Sequence, residues 1–88
     1  MTVYMAERDL KGIGMDDLAA AQRRAIDTAR DMSAEGTRVR YIRSMFVPSE
    51  GRCECLFDAD DADAVRRLND TAGLPYTRVV EAMDLTPP

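Results

Sequence analysis

The sequence predicts a single α+β domain over residues 1–88. Three observations carry that prediction. Four short runs alternate or are rich in β-branched and aromatic residues, as strands are. Two longer stretches place apolar residues at helical spacing. Glycine, proline and aspartate clusters separate the runs at the lengths expected of turns and helix starts.

Residues 2–8 read as the first strand. The segment from Asp9 to Met15 holds Gly12 and Gly14 and reads as a loop. Asp16 is placed to cap a helix, with Asp17 in the first turn, where the helix dipole favours an acid. From Asp17 to Ala34, Leu18, Ala21, Ala25, Ala29 and Met32 form one stripe. Its alanines let the helix lie close to a sheet. Gly36 is a natural stop. Thr37 to Val47 is a long strand, Pro48-Ser49-Glu50-Gly51 a turn, and Arg52 to Asp58 the returning strand. A regular hairpin sets Val47 against Arg52, Met45 against Glu54, Arg43 against Leu56 and Ser44 against Cys55, with Arg43 diagonal to Glu54. Asp58, Ala59, Asp60 and Asp61 lead into a short helix, Ala62 to Ala72, with Val65, Leu68 and Ala72 inward. Gly73-Leu74-Pro75 ends it. Thr77 to Leu85 is the last strand, and Thr86-Pro87-Pro88 a frayed tail.

The order β-α-β-β-α-β is that of the ferredoxin-like split unit, a four-stranded antiparallel sheet with two helices on one face. Side-chain size suggests which face meets the helices. Ala6, Ser44, Cys53, Cys55, Phe57, Val80 and Ala82 are mostly small and suit close packing. The opposite face collects Val3, Met5, Tyr41, Met45, Val47, Val79, Met83 and Leu85, with Glu7, Arg43, Glu54 and Glu81 among them. Arg43 is the one cation placed against the three carboxylates. Left open to water that face is too apolar. A second copy of the sheet is the simplest cover, so a homodimer resembling a two-fold α+β barrel is expected.

Composition limits the partners. The net charge is −4, and the arginines alternate in facing or sit beside acids. A nucleic-acid partner is not expected without a basic stripe or aromatic platform. No apolar run approaches the roughly 20 residues that cross a bilayer, so no membrane association is expected. The N-terminus shows no secretory pattern, and Cys53 and Cys55 read as reduced thiols. The expected location is cytoplasmic.

Charge on an oily face is costly unless paired or used. Structural salt bridges within a dimer interface would account for it. So would a small-ligand pocket using Tyr41 and Arg43, with Glu7, Glu54 and Glu81. The same three glutamates could hold a hard divalent cation, since oxygen donors suit magnesium, calcium or manganese. The two cysteines are too few for a thiolate metal site and read as core residues. Asn69 reads as a surface or edge amide. Asp58, Asp60, Asp61 and Asp63 lack the glycine and final glutamate of a calcium loop, so they read as a capped helix start. No histidine is present to act as a base.

Five segments in order resemble a known family. They are Glu7-Arg8-Asp9-Leu10 then Gly12, Tyr41-x-x-Ser44, Cys55-x-Phe57-x-Ala59, Gly73-x-Pro75 and Val79-x-Glu81. Together they resemble the small nickel-binding-protein-like family, largely of unknown function, within the dimeric α+β barrel superfamily. The resemblance implies a ferredoxin-like homodimer. It also implies nickel or another divalent metal in some members, held partly through histidine. Leu68, Asn69 and Leu74 stand here where relatives often carry that histidine. A divalent metal therefore stays open as a cofactor, and nickel affinity is expected to be weak or absent. The leading expectation is a small cytoplasmic homodimeric binding or accessory protein without firm catalytic activity. The alternatives are a small barrel isomerase or lyase with a glutamate base, or a structural dimer without ligand.

Overall fold

The computed structural model describes residues 1–88 and has the predicted order. The elements are β1 (Thr2–Asp9), α1 (Met15–Ala34), β2 (Val39–Val47), β3 (Arg52–Ala59), α2 (Ala62–Ala72) and β4 (Arg78–Glu81). The strands form one antiparallel sheet in the order β2-β3-β1-β4. The two chain-adjacent strands β2 and β3 form the hairpin, while β1 sits between β3 and β4, which is the split βαβ arrangement.

One core joins both helices to one sheet face. Ala25, Ala29 and Met32 of α1 and Ala64, Val65 and Leu68 of α2 close on Ala6, Val39, Cys53, Cys55, Phe57, Ala59 and Val79. Phe57, Val65 and Leu68 are fully buried. Each such side chain stabilises the fold by about 1.5–3 kcal/mol. The alanines of α1 bring the back half of that helix close. Its front half is looser, since Leu18 and Ala21 are only half-buried.

The helix ends follow local chemistry. α2 begins where the Asp61 carboxylate accepts from the Ala64 backbone N–H at 2.8 Å, and it ends on Gly73 in the left-handed conformation. α1 starts two residues earlier than predicted. Gly14, not Asp16, is its N-cap, and no side chain caps it. Asp16 and Asp17 both lie in the first turn instead. β4 is shorter than the predicted Thr77–Leu85. Past Glu81 only the Ala82 N–H continues the pairing, donating to Val3 C=O at 2.9 Å.

The hairpin register is as expected from Arg43 to Val47, then breaks. Tyr41 pairs with Phe57 and Arg43 with Leu56, so Ile42 is an extra residue in a β-bulge. The bulge reverses the alternation. Val39 and Tyr41 face the helices, whereas Arg40, Arg43, Met45 and Val47 face outward. Tyr41 was expected on the outer face with Arg43. Its ring instead packs edge-on against Phe57, with centroids 5.7 Å apart.

β4 is also inverted relative to expectation. Val79 lies opposite the buried Ala6 and belongs to the core, and Glu81 lies opposite Tyr4 on that same side. Val80, opposite Met5, points outward. Adjacent valines make the two registers nearly equal in hydrophobicity, and pairing with β1 decides between them. Asn69 is a further correction. It is fully buried in α2, where its Nδ2 donates to the Val65 C=O at 2.8 Å.

Candidate ligand site between the first helix and the sheet

Three of the five expected site residues share the outer face. Glu7 and Glu54 lie directly opposite one another on β1 and β3. Each has its own cation: Arg78 Nε lies 3.2 Å from Glu7, and Arg52 Nε 3.4 Å from Glu54. Arg43 does not pair with Glu54. Its Nη2 donates to the carboxylate of Asp84, in the chain after β4, at 2.8 Å. Arg40 also faces outward and pairs with Asp58. Arg43 is thus one of four arginines on this face, not its sole cation. Exposed pairs of this kind contribute about 0–1 kcal/mol each. Tyr41 and exposed Glu81 belong to the opposite side of the sheet. The five residues therefore do not form one cluster.

A different polar group is gathered on the helix side. β1 places Arg8 in phase with Tyr4 and Ala6, so a guanidinium enters the core face. Arg8 is only 3% exposed. Its Nε donates to Cys55 Sγ at 3.4 Å and its Nη1 to the Pro75 C=O at 3.0 Å. Its Nη2 is buried and has no acceptor in the chain. From Cys55 the network runs into β2. Ser44 Oγ donates to Cys55 Sγ at 2.9 Å and lies 2.5 Å from the Tyr41 hydroxyl. Gln22 of α1 donates to that hydroxyl at 3.0 Å. The bulge at Ile42 makes this possible, since it puts Tyr41 and Ser44 on one side three residues apart.

The sulfurs of Cys53 and Cys55 are 3.8 Å apart. Their acidities diverge. Cys55 is lowered from 9.0 to about 6, chiefly by the hydrogen bond from Cys53, then by the Arg8 charge and the Ser44 hydrogen bond, against the opposing effect of burial. Cys53 is pushed up by that same bond, by burial and by its neighbour's charge. A guanidinium and a hydroxyl donor beside the sulfur favour its thiolate, an anion-like hydrogen-bond acceptor.

These groups wall a cavity of about 240 Å³ under the front half of α1. Leu18, Ala21 and Ala25 form its roof, and Ser44, Phe46, Cys53 and Cys55 its floor. Arg8 stands at its side and also borders a second cavity of about 250 Å³, toward Ile13, Asp17, Arg24 and Pro75. Mostly apolar walls with a few convergent polar groups are the usual make-up of a small-molecule site. Sequence reading placed Cys55 in the core correctly but missed this site because it did not place Arg8 beside it. The signal was present in the alternation of β1, which sets Arg8 beside Ala6.

The fold and this site define a small ferredoxin-like α+β domain with a helix–sheet cavity. The chain belongs to the SCO4226-like family: the model of the family described as nickel responsive protein SCO4226-like matches residues 4–82. A crystal structure of SCO4226 from Streptomyces coelicolor A3(2) is similar in fold. It has a TM-score of 0.78 at 24% identity, with 96% of this chain and 99% of that chain covered. No curated protein matches the chain. The family description raises nickel, and the donors here do not fit it. There is no histidine, and nowhere do three histidine, cysteine, aspartate or glutamate side chains converge as a metal site would require. No helix is long and apolar enough to cross a membrane.

Proposed function

We propose that this chain is a small cytoplasmic binding or accessory protein that holds a small organic molecule in the cavity under α1 and works as a homodimer. The observation that carries the binding reading is the cavity itself: apolar walls meeting one buried cation and a connected hydrogen-bond network at a single spot. Its volume is below the roughly 300–1,000 Å³ of drug-sized pockets, which restricts the occupant to a compact molecule. The homodimer reading is supported by the outer face, where Met5, Leu56, Val80 and Met45 lie among Glu7, Arg43 and Glu54, and Met45 is 57% exposed. In a dimer those three charged residues would line the interface.

Two measurements test the proposal. Hexanol, a compact neutral probe, should shift the amide resonances of Leu18, Ala25 and Phe46 in the native protein. Ala21→Leu, which extends a side chain into both cavities, should abolish those shifts. Absence of any shift in the native protein would refute a ligand cavity. Sedimentation at micromolar concentration should give a dimer, and a monodisperse monomer would refute the assembly.

A further inference from the structure

We infer that the molecule held under α1 carries an anionic head group, a carboxylate, which seats on Arg8. This deepens the cavity reading above and rests on it.

The argument starts from the donors of Arg8. A guanidinium has five N–H donors in a fixed fork and no acceptor. In this chain Nε meets a sulfur and Nη1 a backbone carbonyl, while Nη2 is buried with no acceptor at all. No aspartate or glutamate pairs with Arg8, although every ion pair on the outer face has its carboxylate. Asp17 borders the second cavity, yet it forms no ion pair with Arg8, and Arg24 adds a second cation on that side. Once Cys55 is a thiol, Arg8 has no counter-ion, which is costly in the interior, and its uncommitted buried Nη2–H adds to the cost. A carboxylate on the ligand would remove both penalties through charge-assisted hydrogen bonds.

The rest of the cavity sets the remainder of the ligand. Leu18, Ala21, Ala25 and Phe46 offer no hydrogen bonds from their side chains, so the body that follows the head group is apolar. A short-chain organic monoacid has this make-up. Cys55 is the one acidic group bonded to Arg8, so thiolate and ligand carboxylate compete for the same guanidinium. Cys53, Tyr41, Asp17 and Arg24 are the other ionisable side chains on the cavity side, and Glu7, Asp9, Lys11, Glu50 and Arg52 surround Arg8 at the other end, none of the carboxylates forming an ion pair with it. The test is therefore best run on the acid side of neutrality, where Cys55 is mainly a thiol and a carboxylic acid is still mainly ionised.

The experiment compares hexanoate with hexanol at about pH 5.5 on the native protein, followed by amide shifts around Arg8 and α1. Hexanoate should bind at least about tenfold tighter than hexanol. Arg8→Met should remove that preference. Equal affinity of the two probes would overturn the anionic head group while leaving the cavity reading in place. Failure of both probes would overturn the cavity reading, and this inference with it. If Arg8→Met does not fold, the comparison on native protein still decides.

Discussion

Ser44→Ala tests the polar network at its centre. The hydroxyl makes two contacts, to Cys55 Sγ at 2.9 Å and to the Tyr41 hydroxyl at 2.5 Å. A net intramolecular hydrogen bond contributes about 1 kcal/mol, so losing both should cost about 1–2 kcal/mol. In a domain of this size each kcal/mol lowers Tm by about 4–8 °C. The second effect is on acidity. Cys55 is held near 6, against 9.0 for an ordinary thiol, and Ser44 is one of the donors responsible. Its removal should raise the midpoint back toward 9.0, though not to it, because Cys53 and Arg8 remain. The pH profile of iodoacetamide alkylation, with the modified cysteine located by tandem mass spectrometry, reads that midpoint. Thermal melts supply a linked check. A thiol whose folded pKa is depressed contributes stability that is complete above its unfolded value and is lost as pH falls through the folded one. Native Tm should therefore gain from Cys55 as pH rises from about 6 to 9, and Ser44→Ala should flatten the gain. The raised Cys53 opposes this only above 9.0, where its unfolded thiol ionises. An unchanged alkylation midpoint together with an unchanged Tm would refute the network as described.

Three other perturbations probe separate parts of the structure. Tyr41→Ala should cost about 2–4 kcal/mol by urea denaturation, since the ring packs on Phe57; a neutral result would place Tyr41 back on the outer face. Gly51→Ala should destabilise by more than about 1 kcal/mol, because Gly51 has φ +70° and an added Cβ would fall 2.4 Å from the Lys11 backbone; an unchanged urea midpoint would refute the close approach. Isothermal titration of the untagged protein with nickel should show no submicromolar binding, and a tight site would mean that Cys53, Cys55 and carboxylates converge in a way the single chain does not show.

The element order was legible because each element had its own local signal. The alanine stripe of α1, the acidic start of α2 and the four-residue hairpin turn all appear where expected. Faces were harder to read. β2 carries apolar or aromatic residues at both parities, so strict alternation looked plausible straight through Ile42. Nothing in Val39–Val47 announces the bulge, which exists because Tyr41 gains Phe57, Ser44 and Gln22 on the inner side. β4 failed for a related reason: Val79 and Val80 are equally good core residues, and only Ala6 opposite Val79 breaks the tie. The error on Arg43 followed from counting cations by those faces, which left out Arg40 and Arg78, and from passing over Arg52 beside Glu54. It also changes the energetic expectation. A partner of three buried carboxylates would be worth several kcal/mol, whereas Arg43, 58% exposed and paired with Asp84, should cost about 1 kcal/mol or less when replaced by Met. The candidate site was illegible because it depends on depth. Sequence shows Arg8 as one more charge; only packing shows that its guanidinium ends in the interior.

The bulge at Ile42 has a consequence for self-association. β2 is one edge of the sheet, and an edge strand is a template on which stray strands can add. An unpaired extra residue in mid-strand interrupts that template and increases the local twist. The opposite edge, β4, offers only four residues, Arg78–Glu81. Neither border therefore presents a long, flat ladder for cross-β growth. Under conditions that expose the chain, fibril formation should start from a segment freed by unfolding, not by docking onto either rim of the native sheet.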